Sequence, residues 1–92
     1  MIKSFKDGNA EAIFRGVKPK KGFPPGLIRL ARRKLITLHA AAHLDDLRSP
    51  PGNRLEKLGK DREGQHSIRI KGQSRIYFMW TKHGAKNVEI TD

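Results

Sequence analysis

No cysteine occurs among the 92 residues. That excludes a disulfide framework, a thiolate nucleophile and a cysteine-based zinc site, and leaves stability to packing alone. Acidic residues are scarce too: 9 stand against 20 lysines and arginines, for a formal net charge of +11 on 10.4 kDa. Such an excess repels itself unless a polyanion relieves it, so nucleic acid is the leading class of partner. Long apolar runs are missing. No segment approaches the ~20 residues of a membrane span, and the opening MIKSFKDGNA lacks the apolar core of a signal peptide. The expectation is a cytoplasmic protein with no membrane partner. A chain of this length hides roughly two-thirds of its unfolded surface, enough for one core and a single domain.

The chain begins with MIKSF, a short candidate edge strand with Ile2 on one face and Lys3 and Phe5 on the other. NAEAIFRG then offers Asn9 as a cap before one or two helical turns ending at Gly16. Gly16 to Gly26 holds three prolines, three glycines and three lysines, a composition that predicts a mobile basic loop. From Leu27 the apolar residues Leu27, Ala31, Leu35, Leu38 and Ala42 recur at helical steps, predicting a helix to about Ala42 with Arg29, Arg32 and Arg33 largely off its stripe. HLDDLRSPPGN reads as a short helical turn stopped by Pro50, Pro51 and Gly52. The remainder is β: RLEKL, QHSIRIK, RIYFMWT, a turn at KHGAK, and NVEIT. That order, with hairpin-length links, implies an α+β fold in which two N-terminal helices cover one face of a small antiparallel sheet.

Alternation places Gln65, Arg69 and Lys71 on one side of their strand and Arg75, Tyr77 and Met79 on the matching side of the next. Such a face is either a cationic groove for a polyanion or the ordinary solvated side of an antiparallel sheet, and charge alone leaves both open. DREG, from Asp61, reads equally well as a hairpin turn. Ile76, Phe78 and Trp80 fall on the apolar side and belong to a core before a base-stacking platform. Tyr77 on the groove side is a candidate for stacking on RNA bases. His39 and His43 lie four apart on a helix, a metal-ligand spacing, but with no obvious third ligand a partly exposed helix face is the better reading. His66 shares its side with Ile68 and Ile70 and reads as a histidine at the core edge, and His83 as a turn residue.

MIKSF, DLRSPPGNRLEKL, KDREGQHSIRI, SRIYFMW and the closing NVEITD together resemble the HigB-type toxins of the RelE superfamily. The resemblance implies helices on one side of a small antiparallel sheet. It also implies a ribosome-dependent mRNA interferase: an endoribonuclease that cuts translated mRNA by attack of the 2′-hydroxyl on the adjacent phosphorus, with no metal and no cofactor. The implied partners are the ribosome and mRNA, a HigA-type helix-turn-helix antitoxin, and operator DNA reached only through that antitoxin. Carried over residue by residue, the catalytic positions are Glu56, Lys60, Arg62, Arg75 and Asp92. Apart from the resemblance, charge and strand alternation make Arg29, Arg32, Arg33, Arg69, Lys71 and Tyr77 the candidates for RNA or ribosome binding. Arg62 and Arg75 suit phosphate because a guanidinium donates forked hydrogen bonds where lysine offers a point charge. Three positions depart from the pattern. Glu56 stands where many relatives carry histidine, Gln73-Ser74-Arg75 replaces Gln-Trp-Arg, and relatives often close on Asp-Tyr-His where this sequence closes on Asp92. The alternatives are a basic module that binds RNA or ribosome without cutting, and a co-repressor acting with its antitoxin on operator DNA.

Overall fold

A computed structural model describes residues 1–59, 62 and 64–91. Two helices come first, α1 (Gly8–Phe14) and α2 (Pro25–Ala40), followed by 3-10 turns at Leu44–Arg48 and Pro51–Asn53. Four strands complete the chain: β1 (Glu56–Lys57), β2 (Gln65–Lys71), β3 (Ser74–Thr81) and β4 (Gly84–Thr91). They form one antiparallel sheet in sequence order, and α1 and α2 pack on one of its faces. The α+β architecture expected from the periodicity is the one observed.

Alternation explains which face is covered. Ile68, Ile76, Phe78 and Val88 point to the helices and are fully buried, meeting Ile13, Ala31, Leu35 and Leu38 from α1 and α2. Trp80 and Ile90 pack at the margin of this core. Burying an aromatic of the size of Phe78 stabilises by about 1.5–3 kcal/mol relative to exposure, so this layer carries the stability.

Several boundaries differ from expectation for reasons outside the local sequence. α1 is capped by Asp7, not Asn9: Asp7 Oδ1 accepts from the Asn9 N–H at 2.9 Å while Oδ2 accepts from Ile90 N–H on β4 at 3.2 Å. Helix α2 starts at Pro25 rather than Leu27, because proline at a first helical position loses no hydrogen bond, and it ends at Ala40. Between the helices, Pro19 is buried, Phe23 packs on the core and the Lys20 N–H donates to Asn9 Oδ1 at 2.8 Å. The N-terminal strand is reduced to two parallel bridges, Ile2 to Ala85 and Phe5 to Val88, and Phe5 joins Ile2 against the core instead of sharing a face with Lys3. β4 begins at Gly84, within the expected turn. Gly84 has φ +125°, and a Cβ there would collide with the main chain of Met1, so the first residue lies directly against this glycine.

Candidate active site on the open face of the sheet

The uncovered face is built by the alternate residues of the same strands. Register puts Glu56 opposite Ser67, Ser67 opposite Tyr77 and Tyr77 opposite Glu89, so these four residues form one row across all four strands. Arg69 stands directly opposite Arg75. Like charges directly across a strand pair are destabilising, so an anion at this surface would relieve the pair.

Arg75 is held at three points: Nε donates to Ser67 Oγ at 2.8 Å, Nη2 donates to the Arg54 carbonyl at 2.6 Å, and Nη2 lies 3.9 Å from Glu56 Oε1. The Arg54 backbone is in the left-handed region, φ 46°, at the end of the second 3-10 turn, and the carbonyl of this residue is the one that accepts from Arg75. Arg62 comes from the loop between β1 and β2 and lies over the face. Its guanidinium carbon sits 4.2 Å from the Tyr77 ring centroid, and Nη1 donates to Gln65 Oε1 at 3.1 Å and to Glu89 Oε2 at 3.4 Å. Lys6 adds a second cation to Glu89, 3.5 Å from Oε2. The face thus holds two cation sets, each with its own carboxylate: Arg75 with Glu56, and Arg62 with Glu89.

Of the residues expected to carry chemistry, Glu56, Arg62 and Arg75 come together here with Tyr77 and Arg69. Lys60 and Asp92 lie outside the described residues, as does Asp61 at the start of the expected turn. Lys71 is exposed at the β2–β3 turn. One side of the Tyr77 ring is occupied by Arg62, so a base approaching that side meets a guanidinium plane first, itself a surface on which RNA bases stack. Arg29, Arg32 and Arg33 are exposed on α2, in the helix layer behind the sheet. There they line a shallow cavity of about 370 Å³ with Ile28, Ile36 and Thr37. They do not join the open face.

The histidines are elsewhere. His66 stacks on Phe78 on the covered side, its Nδ1 buried with no partner among the described residues, and burial followed by the charge of Lys57 lowers its pKa below the ordinary 6.5. His39 Nδ1 accepts the Ile2 N–H at 3.1 Å and its ring packs on Phe14. His43 stands at the start of the first 3-10 turn, where Asp46 Oδ2 accepts its N–H at 3.0 Å. Among the described residues no group of three or more histidine, aspartate or glutamate side chains is placed to hold a metal. Sequence reasoning missed Glu89, Lys6, Ser67 and the Arg54 carbonyl. Strict alternation in NVEIT, with Val88 and Ile90 inward, was the available signal for Glu89.

Two helices backing a four-stranded antiparallel sheet make an α+β fold consistent with RelE-like toxins. The sequence model of the family described as the RelE-like toxin of type II toxin-antitoxin system HigB matches residues 3–92, and the chain belongs to that family. Toxin HigB-1 of Vibrio cholerae serotype O1 is 38% identical over 87 residues, covering 95% of this chain and 92% of its own length. An uncharacterized protein of Haemophilus influenzae is 34% identical over 84 residues, covering 91% of this chain and 83% of its own. Membership of a type II system implies an antitoxin partner.

Proposed function

We propose that this toxin is a ribosome-dependent mRNA endoribonuclease whose open sheet face holds the scissile phosphate. The observation that supports the reading best is the pairing of two fixed guanidinium groups with two carboxylates on one solvent-open surface. Arg75, anchored by Ser67 and the Arg54 carbonyl, and Arg62, laid on Tyr77, donate to the non-bridging phosphate oxygens and hold the charge that grows on the phosphorane. These cations supply the charge stabilisation that a metal ion supplies in other nucleases. Glu56, the more exposed of the two carboxylates, accepts the proton of the attacking 2′-hydroxyl. The bond to the 5′-oxygen then breaks. No described histidine lies on this face, so that oxygen takes its proton from water or from the ribosome. Lys60 and Asp92 complete the catalytic set implied by the resemblance.

Arg69 and Lys71 extend the cationic surface along β2, and Arg29, Arg32 and Arg33 present a second one on the helix layer. A protein with cations on two sides fits a cleft walled by RNA, which favours the ribosome over a free oligonucleotide as the working partner. Neutralisation falls to a HigA-type antitoxin, and contact with operator DNA passes through it.

The test is cleavage on translating ribosomes with the purified toxin. Defined cuts within the translated message are the expected result. Ribosome binding without cuts would replace the enzyme by a binding module. Affinity for single-stranded RNA should fall with salt at a log–log slope of roughly −0.7 per phosphate neutralised, and replacing Arg29, Arg32 and Arg33 together by alanine should flatten the ribosome-binding slope. A flat titration of the parent protein would remove nucleic acid from the account.

A further inference from the structure

Glu89 is the more enclosed carboxylate of the open face: its side chain is 16% exposed against 57% for Glu56. Nothing in the proposed chemistry uses it, yet three side chains converge on its neighbourhood. Arg62 reaches Oε2 at 3.4 Å, Lys6 reaches the same oxygen at 3.5 Å, and Tyr77, its cross-strand partner, lies under the Arg62 guanidinium.

We propose that Glu89 is a positioning residue: it holds Arg62 over the Tyr77 ring in the free protein and hands it to an RNA phosphate when substrate arrives. Arg62 is carried by a loop while Glu89, Gln65 and Tyr77 belong to the sheet, so the sheet aims a cation whose own backbone does not. A guanidinium side chain carries about 2 kcal/mol of rotamer freedom, and holding it in one aimed rotamer favours the geometry the reaction needs, while the carboxylate itself competes with RNA for ground-state binding. A carboxylate is a suitable placeholder because it accepts the same forked hydrogen bonds as phosphate.

Two features separate such a placeholder from a permanent ion pair. The Arg62–Glu89 contact, at 3.4 Å, is long for a charge-assisted hydrogen bond, and Arg62 is still 37% exposed, open to an incoming anion. Lys6 also remains beside Glu89 after Arg62 departs, so the exchange never strands a half-enclosed carboxylate without a cation. Lys6 is 61% exposed and comes from the N-terminal segment, which lets it follow the carboxylate.

The inference rests on the endonuclease reading for its kinetic readout alone. The experiment compares the parent, Glu89→Gln, Glu89→Asp, Arg62→Ala and the Glu89→Gln/Arg62→Ala double variant. Three measurements are made: the ring-current shift of the Arg62 δ-methylene protons by NMR, affinity for a single-stranded oligoribonucleotide, and single-turnover cleavage at saturating ribosomes. Glu89→Gln should lose the ring-current shift, bind RNA several-fold more tightly because a competing anion is gone, and cleave about tenfold to a hundredfold more slowly, the scale of a donor misplaced by ~1 Å. Glu89→Asp should recover part of all three. With Arg62 already alanine, the same glutamine should add only the small affinity gain of one extra net positive charge and no further loss of rate. A simple structural role would instead lower thermal stability and leave the opposed changes in affinity and rate unmade. Persistence of the Arg62 shift in Glu89→Gln, or undiminished effects in the Arg62→Ala background, would overturn the assignment. If no protein of the series cleaves while the shift and the affinities behave as stated, the endonuclease reading falls and the placeholder stands.

Discussion

Ile76 and Phe78 are sealed beneath the helices, while Arg75 and Tyr77, each one residue away on the same strand, stand on the open side. The covered face holds together by volume: its side chains are apolar and need no particular partner atom, only filled space. The open face holds together by direction, since its two guanidinium groups are aimed by named acceptors, Arg75 by Ser67 and the Arg54 carbonyl, Arg62 by Gln65 and Glu89. A two-residue period thus separates folding from chemistry across the thickness of one sheet. A register slip of one residue would place the arginines in the core and the isoleucines in solvent, so the two faces also fix each other's register.

This contrast can be broken from either side. The largest effect belongs to the covered face: Phe78→Ala should cost about 3–5 kcal/mol of unfolding free energy, measured by denaturant titration, because a fully buried ring leaves a cavity between sheet and helices. A loss below ~1 kcal/mol would mean that the helix layer collapses into the space and that volume is not strictly held. On the open face, Arg75→Ala should slow cleavage by about 10²–10³-fold while the folded protein persists, the usual loss when one preorganised donor to a transition-state oxyanion is removed. Unchanged cleavage with a large stability loss would show that the Arg75 bonds to Ser67 and Arg54 are structural only.

His66 sharpens the comparison, because it is the titratable ring placed on the covered side of β2. Its pKa is lowered, chiefly by burial and then by Lys57, so the folded chain resists the proton that the unfolded chain accepts near 6.5. The unfolded state therefore binds more protons over the window below 6.5, and stability present above that pH is lost as pH falls toward the folded value. Melting temperature should drop between about pH 7 and about pH 5.5 in the parent and drop less in His66→Phe. Parallel curves would assign the acid sensitivity elsewhere. The smallest effect is expected between the helices. The segment 16–26, rich in glycine, proline and lysine, should exchange its amide protons faster than Ile68 to Ile70, and equal protection would show that the contacts of Pro19 and Phe23 fasten all of it.

The periodic elements were legible because their signals are local. QHSIRIK has the bounds of β2 as expected, and the stripe Leu27, Ala31, Leu35 and Leu38 is the face that α2 turns to the sheet. Asp7 and Asn9 are both good capping residues, and the choice between them is made by the Ile90 N–H, which arrives from the far end of the chain. The same holds at the site. Arg62 and Arg75 could be named from residue type and resemblance, but Glu89 acquires its cations from a loop and from Lys6, contacts that exist only after the strands are paired. The Arg54 carbonyl leaves no trace in a sequence at all, since its role is a backbone direction.

The first seven residues meet the last strand: Phe5 bridges Val88, and Asp7 accepts from Ile90 across a sequence separation of 83. A chain is made from its N-terminus, so these opening residues must wait until β4 has been made before their partners exist. β4 then supplies two things at once, Val88 to close the core and Glu89 to anchor Arg62. A nascent or truncated toxin lacking that strand has neither a finished interior nor an aimed cation. β4 is therefore the strand on which both the sealed interior and the placement of Arg62 depend.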